Sequence, residues 1–307
     1  MQYLVTGGCG FIGSHLVERL LADGHAVTVI DDLSTGKREN LPAAVTLVTG
    51  DITAPGIFDK LIMQADGCFH LAAIVSVPLS ATAWLKTHQV NLGGTVALLD
   101  ALARAKRRLP VVYASSAAVY GDNTDVPLRE TMPCRPLSAY GADKLGCELH
   151  AGVGIALHGI PAIGLRFFNV YGPRQDTSSP YSGVITIFAN RIRRRQPAII
   201  YGDGSQARDF IYVGDIVDGM MAAMGKLEAK PQVTGVFNLC TGVPTSINRL
   251  AAIIADTAHM QSEIVHADPR SGDICMSVGD PAQASERLDW RAATALQDGL
   301  ARTLASL

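Results

Sequence analysis

What the sequence lacks narrows it first. No apolar run approaches the ~20 residues of a membrane-spanning helix, so no membrane partner is expected. No charge excess stands out either: 26 Lys and Arg face 28 Asp and Glu, a formal net charge of -2. Nothing therefore points to nucleic acid or to an anionic membrane surface. Cys-x-x-Cys is absent. The six cysteines (Cys9, Cys68, Cys134, Cys147, Cys240 and Cys275) are scattered, the pattern of reduced thiols in a cytoplasmic protein. His-Glu-x-x-His and other ligand spacings are missing among the eight histidines, so no protein-bound metal is expected. Met1 runs straight into a strand pattern, without a charged segment leading an apolar one, so no signal peptide is expected. Internal repeats, low-complexity linkers and separate modules are also lacking.

What is present is a chain of 307 residues with 48% apolar content and 30 glycines, which suits a turn-rich α/β protein with a full core. Residues 2–6 (QYLVT) read as a short buried strand. Gly7-Gly8-Cys9-Gly10-Phe11-Ile12-Gly13 follows, then a stretch with helical apolar spacing from Ser14 to Leu21. Strand, glycine loop and helix make the context of a dinucleotide fingerprint, with glycines 7, 10 and 13 spaced G-x-x-G-x-x-G. Glycines let backbone approach a diphosphate, and the helix N-terminus offers it free N–H groups. A second strand at 26–30 ends at Asp31-Asp32, where an acid can accept from the adenosine ribose hydroxyls. A carboxylate there repels the extra phosphate of NADP, so NAD is favoured. Ser34, Thr35 and Gly36 continue as a loop. A third strand at 45–48 leads to Asp51-Ile52, a candidate adenine contact, and a fourth at 67–73 (GCFHLAA) runs into the small residues Ala72-Ala73. A helix is expected over about 91–106, beginning at Asn91, and a fifth strand over 110–114, followed by Ser115-Ser116. Strand and helix alternation predicts right-handed crossovers and a doubly wound parallel sheet.

Further on comes Tyr140-Gly141-Ala142-Asp143-Lys144. On a helix Tyr140 and Lys144 are i and i+4 and share a face. A fixed ammonium beside a phenol favours the phenolate, making the pair a candidate base for a sugar or alcohol hydroxyl. Ser116 precedes Tyr140 by 24 residues and sits where ligands bind in such sheets, beyond a strand's C-terminal end. A serine there is otherwise a common helix N-cap.

Together these segments resemble the extended short-chain dehydrogenase/reductases, in their NAD-dependent epimerase/dehydratase branch and nearest to UDP-hexose 4-epimerases. The resemblance spans nearly the whole chain. It rests on the glycine loop, His70-Leu71-Ala72-Ala73, Ser115 to Gly121, Tyr140 to Lys144, Leu165 to Pro173 and Gly202 to Val213. It implies a doubly wound parallel Rossmann sheet with a smaller α/β C-terminal region: an NAD-binding domain at 1–170 and a mainly nucleotide-sugar-binding region at 171–307, interleaved with some sheet strands. It implies Tyr140 as base, Lys144 on the nicotinamide ribose and Ser116 on the sugar 4-hydroxyl. Hydride would pass from C4 to bound NAD and return to the other face of a 4-keto sugar. Further implied NAD contacts are Gly7, Gly10, Phe11, Ile12, Gly13, Asp31, Asp32, Ser34, Thr35, Gly36, Asp51, Ile52, Leu71, Ala72, Ala73, Asn91 and Phe168. Implied UDP-sugar contacts are Ser76, Asn169, Val184, Tyr201, Arg208, Arg270, Asp273 and Ser277. Ser277 matches a position that bounds the sugar's 2-substituent, and its small size implies room for an N-acetyl group.

Sister activities lack their parts. The family's 4,6-dehydratases carry Asp-Glu after the position of Ser116, and its decarboxylases carry Glu at the second; here Ala117 and Ala118 stand there. Neither alanine transfers a proton. A nucleotide-sugar oxidoreductase, or another epimerase of the same family, is the alternative enzyme. A non-catalytic NAD-binding sensor would be expected to lack Tyr140 or Lys144. The resemblance also implies a homodimer formed through the helices near 91–106 and 140–157. Leu288, Trp290, Leu296, Leu300 and Leu304 are expected to pack as closing core within 281–306.

Overall fold

A computed structural model of the chain describes residues 1–176, 183–260, 263–269 and 274–307. Arg270 and Asp273 lie outside the described residues. The chain opens with strand β1 (Gln2–Thr6), helix α1 (Phe11–Ala22), β2 (Ala26–Asp31), β3 (Thr46–Thr49), the short α2 (Leu61–Gln64) and β4 (Gly67–His70). Two short helices, α3 (Val77–Thr82) and α4 (Trp84–His88), lead through a π-helical turn (Gln89–Gly93) into α5 (Gly94–Arg104). Then come β5 (Val111–Ser116), a 3-10 turn (Ala117–Tyr120), α6 (Ala139–His158) and β6 (Ala162–Phe167). The rest runs β7 (Asn169–Tyr171), α7 (Val184–Arg193), β8 (Ala198–Tyr201), β9 (Ala207–Tyr212), α8 (Val213–Ala229) and β10 (Gly235–Leu239). It closes with β11 (Pro244–Ser246), α9 (Ile247–Thr257), β12 (Ile264–Ala267), β13 (Met276–Ser277), α10 (Ala282–Leu288) and α11 (Leu296–Ala305).

Seven strands form one sheet in the order β10-β6-β5-β4-β1-β2-β3, with every neighbouring pair parallel. Parallel strands with both faces covered carry continuous apolar runs, and Tyr3 to Thr6 and Ala162 to Phe167 are buried throughout. One face packs Leu16, Val17 and Leu20 of α1 with Ile216, Met220 and Met224 of α8. The other packs Leu98 and Leu102 of α5 with Cys147 and Ala151 of α6. The doubly wound α/β architecture read from the sequence is therefore present. The strand order reverses beside β1, so a crevice opens between the C-terminal ends of β1 and β4. β10 and α8 come from beyond residue 171 yet complete this sheet. A separate core around Phe188, Ile200, Leu250 and Ile254 supports the smaller sheets. Leu288, Trp290 and Leu300 are buried, while Leu296 and Leu304 pack half-buried against this second core.

One expectation needs correcting. Asn91 does not start a helix. Helical backbone already begins at Trp84, and Asn91 lies inside the π-helical turn. Its side chain is taken up elsewhere: Oδ1 accepts from the Ile74 N–H at 2.7 Å and Nδ2 donates to the Ile74 carbonyl at 3.0 Å. That side chain therefore cannot cap, and it pins the chain leaving β4 instead. The strand edges also shift by up to three residues: β4 stops at His70 rather than 73, and β5 extends through Ser116.

Candidate active site

The site begins where β1 ends. Gly7 turns with φ +69, and a Cβ there would lie 2.8 Å from the Ala72 backbone. A Cβ on Gly13 would lie 2.2 Å from the Gly7 carbonyl oxygen. Glycine is thus required for loop, helix and the strand after β4 to meet. No side chain caps α1, and its first turn holds no acid, so the N–H groups at Phe11, Ile12 and Gly13 face the crevice end of the helix dipole. This is the donor set that a dinucleotide diphosphate takes. Asp31, buried at the end of β2, accepts from the N–H groups of Cys9 and Leu33, both at 2.9 Å. Burial pushes its carboxyl up while those two N–H groups pull it down. Asp32 is exposed and holds Ser34 in a local turn, and Asp51 does the same for Thr53. Gly36 packs tightly on Cys9 and Asp31, with Thr35 exposed beside it. Ile52 turns inward and joins the core beside α5. A glycine cradle with an open helix end and an acid after β2 fit NAD.

The opposite wall of the crevice hangs on His70. Thr95 Oγ1 donates to the Asn91 carbonyl at 2.9 Å, so it accepts from His70 Nε2 at 3.1 Å. Thr6 Oγ1 accepts from the Leu71 and Ala72 N–H groups, both at 3.1 Å, and so donates to His70 Nδ1 at 2.9 Å. The network assigns the neutral Nε2–H tautomer. Burial, and then the Lys144 charge, lower the His70 pKa to about 3. The unfolded chain takes a proton near pH ~6.5 and the folded one does not until about 3, so this stability is complete above ~6.5 and is lost as pH falls. A single such proton is worth at most ~1.4 kcal/mol per pH unit. We expect denaturant unfolding between pH 7 and 5 to have a shallower pH slope in His70→Asn than in the wild type, and equal slopes would contradict the network.

The catalytic candidates lie at the end of β5. Ser138 caps α6 by accepting from the Gly141 N–H at 3.0 Å, and the Tyr140 N–H donates to buried Ser80 at 3.2 Å. Gly141 packs on the Ala118 carbonyl, where a Cβ would come to 2.7 Å. The start of α6 is therefore held against the 3-10 turn that follows Ser116. Lys144 is buried and donates from Nζ to the Ala114 carbonyl at 2.8 Å, with Nζ 5.9 Å from the centre of the Tyr140 ring. Tyr140 is half-buried, and among the described residues no group bonds its hydroxyl. Ser116 does act as an N-cap, accepting from the Ala118 N–H at 3.2 Å, and this leaves its hydroxyl proton free to serve a ligand. Ser76 caps α3 through the Leu79 N–H. Phe168 is buried under Gly279 and beside Tyr120.

The other candidates lie on β7, β8, α7 and the paired strands β9 and β13. Ser277 pairs in register with Arg208, and Thr245 pairs with Arg208 from the other side. Asn169 is exposed at the start of β7, Tyr201 is partly exposed at the end of β8, and half-buried Val184 begins α7. Sequence reasoning missed Asp209. Its buried carboxylate accepts from Thr241 N–H and Oγ1, Gly242 N–H and Gly279 N–H, locking β9 to the loops beside Ser277. Burial pushes it up, and those bonds pull it back. It also missed Glu148 and Arg166, a buried ion pair behind Tyr140 and Lys144. An acid four residues after Lys144, and an arginine inside the apolar run AIGLRF, were the available signals. Among the described residues no cluster of metal-binding side chains occurs, and no helix is long and apolar enough to cross a membrane.

The UDP-glucose 4-epimerase of Mycolicibacterium smegmatis is 38% identical over 99% of this chain and 97% of its own. The UDP-N-acetyl-alpha-D-glucosaminuronate decarboxylase of Bacillus cytotoxicus is 35% identical over 86% of this chain and 82% of its own. Among solved structures, the UDP-N-acetylglucosamine 4-epimerase from Methanobrevibacter ruminantium, in complex with UDP-N-acetylmuramic acid, superposes with a TM-score of 0.94 at 36% identity. That match covers 99% of this chain and 97% of the other. Residues 3–240 match the NAD-dependent epimerase/dehydratase family, which takes in the glycine loop, Ser116, Tyr140 and Lys144. The chain belongs to the NAD-dependent epimerase/dehydratase family and is an NAD-dependent enzyme of the epimerase type.

Proposed function

We propose that the protein inverts C4 of UDP-hexoses, interconverting UDP-glucose with UDP-galactose and UDP-N-acetylglucosamine with UDP-N-acetylgalactosamine. One observation carries the reading. Tyr140 and Lys144 lie on one helix face, Lys144 is fixed to the backbone just before Ser115-Ser116, and the two residues after Ser116 are alanines. NAD, when bound, supplies the acceptor that removes hydride from C4 and gives it back. Tyr140 removes the proton from the 4-hydroxyl and later restores it. Ser116 shares that hydroxyl through its free proton. Lys144 has two donors left after bonding Ala114, which hold the ribose next to the nicotinamide and keep a cation beside the phenol. Arg208 meets a phosphate oxygen with its planar fork, helped by Asn169, while Tyr201 and Val184 line the uridine side. The decarboxylase relative invites a second reading, but Ala117 and Ala118 offer no proton where that chemistry needs an acid.

Ser277 sets the sugar preference in this reading, because a small side chain in β13 leaves space for a 2-acetamido group. Purified protein is incubated with each UDP-sugar, without added NAD, and the epimers are resolved by NMR. UDP-N-acetylgalactosamine is expected from UDP-N-acetylglucosamine, and Ser277→Tyr should cut that turnover by about 10–200-fold while sparing UDP-glucose. Formation of UDP-galactose alone would remove the Ser277 assignment. No epimer from either sugar, even with added NAD, would remove the function.

The same reading includes a homodimer. Leu149, Val153 and Leu157 form an i, i+4, i+8 stripe on the far part of α6 and are 65%, 50% and 73% exposed. Trp84 and Leu85 of α4, the helix that also packs on α6, are exposed as well. A second copy covers this apolar surface. Sedimentation should give a dimer for the wild type and a monomer for Leu149→Glu/Leu157→Glu, and a wild-type monomer at micromolar concentration would contradict it.

A further inference from the structure

Behind the reacting groups lies a buried charged cluster with no part in the proton or hydride transfer. Glu148 stands four residues after Lys144 and eight after Tyr140, so the three share one side of α6. Arg166 of β6 and Ser115 of β5 are partners across the ladder and face the same way. Glu148 Oε1 accepts from Arg166 Nε at 2.9 Å and from Ser115 Oγ at 2.5 Å, and Oε2 accepts from Arg166 Nη2 at 2.7 Å. The two charged side chains are 6% and 5% exposed. Burial pulls the Arg166 pKa down, but the bonds and charge of Glu148 more than offset this and raise it. The guanidinium also lies 4.7 Å from the ring centre of Tyr120, which ends the 3-10 turn after Ser116. Asn238 fixes that tyrosine's hydroxyl at 2.7 Å.

Stability is a poor reason for this arrangement. Apolar side chains of similar volume commonly serve as well as a buried ion pair or better, and among the described residues Arg166 Nη1 is buried without a partner. A bidentate fork instead fixes both distance and direction. Here it ties the helix bearing Tyr140 and Lys144 to the strand and turn bearing Ser116. Misplacement of reacting groups by about 1 Å can lower a rate on the order of 10²-fold.

We propose that Arg166 and Glu148, with Ser115, are positioning residues that set the rotation and height of α6 on β5 and so place Tyr140 against Ser116. The proposal rests on Tyr140 and Ser116 acting as described above. Neither charged residue touches the UDP-sugar.

The test compares wild type, Tyr140→Phe and the apolar pair Glu148→Met/Arg166→Met. The double variant should keep its melting temperature, its NAD content and its KM for the UDP-sugar within about threefold, while kcat falls by about 10–100-fold. Should the double variant fail to fold, Glu148→Gln and Arg166→Lys keep the volume but not the charged fork, and kcat alone should fall by about 3–10-fold. Folded variants with kcat within twofold of wild type overturn the proposal. So does a fall in kcat matched by an equal rise in KM and loss of NAD, since that is general damage. A wild type inert toward UDP-sugars would instead remove the underlying reading. Amide hydrogen exchange then still decides the positioning claim: faster exchange at 114–121 and 138–146 in the variants supports it, and unchanged exchange there overturns it.

Discussion

Replacing Tyr140 by Phe lowers UDP-sugar turnover by about 10²–10⁴-fold, the usual worth of a positioned general base. The ring keeps its place, because the backbone N–H of Tyr140 bonds Ser80 and Gly141 packs on Ala118, neither through the phenol oxygen. Folding and NAD content should therefore stay at wild-type levels. Since the hydroxyl has no partner among the described residues, its removal strands no buried donor or acceptor. Steady-state kinetics with an assay of bound NAD checks this. A variant retaining more than about a tenth of wild-type kcat would remove Tyr140 as the base.

The second large effect is at Gly13. A methyl group there would sit 2.2 Å from the Gly7 oxygen and 2.8 Å from the Gly8 Cα, and both are backbone atoms that cannot swing away. Loop and helix must separate, so the N–H groups offered to a diphosphate at the start of α1 lose their alignment. Gly13→Ala should purify without NAD, show no turnover, and lose about 1–3 kcal/mol of stability to overpacking. Gly225→Ala supplies the contrast. That glycine is in α8 with nothing within 4 Å of its added Cβ, so alanine there should gain roughly 0.5–1 kcal/mol and leave NAD bound. NAD retained at the wild-type level in Gly13→Ala would contradict the cradle.

These residues were legible in the sequence because their constraints are local. A strand, three spaced glycines and a helix lie within 2–22, and Tyr140 and Lys144 share a face by helical geometry alone. The strand alternation gave the parallel sheet. What escaped depends on partners distant along the chain. Glu148 meets Ser115 and Arg166 only after β5, α6 and β6 have packed. Asn91 looked like a helix start, but its amide is used on Ile74 by a segment that has to fold back from β4. Asp209 resembles any acid within a strand until Thr241, Gly242 and Gly279 close around it. β10 joins the first sheet from the later half of the chain, an interleaving that the family resemblance implied and that composition alone does not reveal.

In the proposed reaction the hydrogen leaving C4 stays in the site, beside Tyr140 and Ser116, and returns to the same carbon. The most direct measurement incubates the protein, with no added NAD, with UDP-glucose and UDP-N-acetylglucosamine carrying deuterium at C4. The predicted result is an epimerised product that keeps its deuterium at C4, with no label in the solvent. Product with hydrogen at C4, or label released to water, would contradict it.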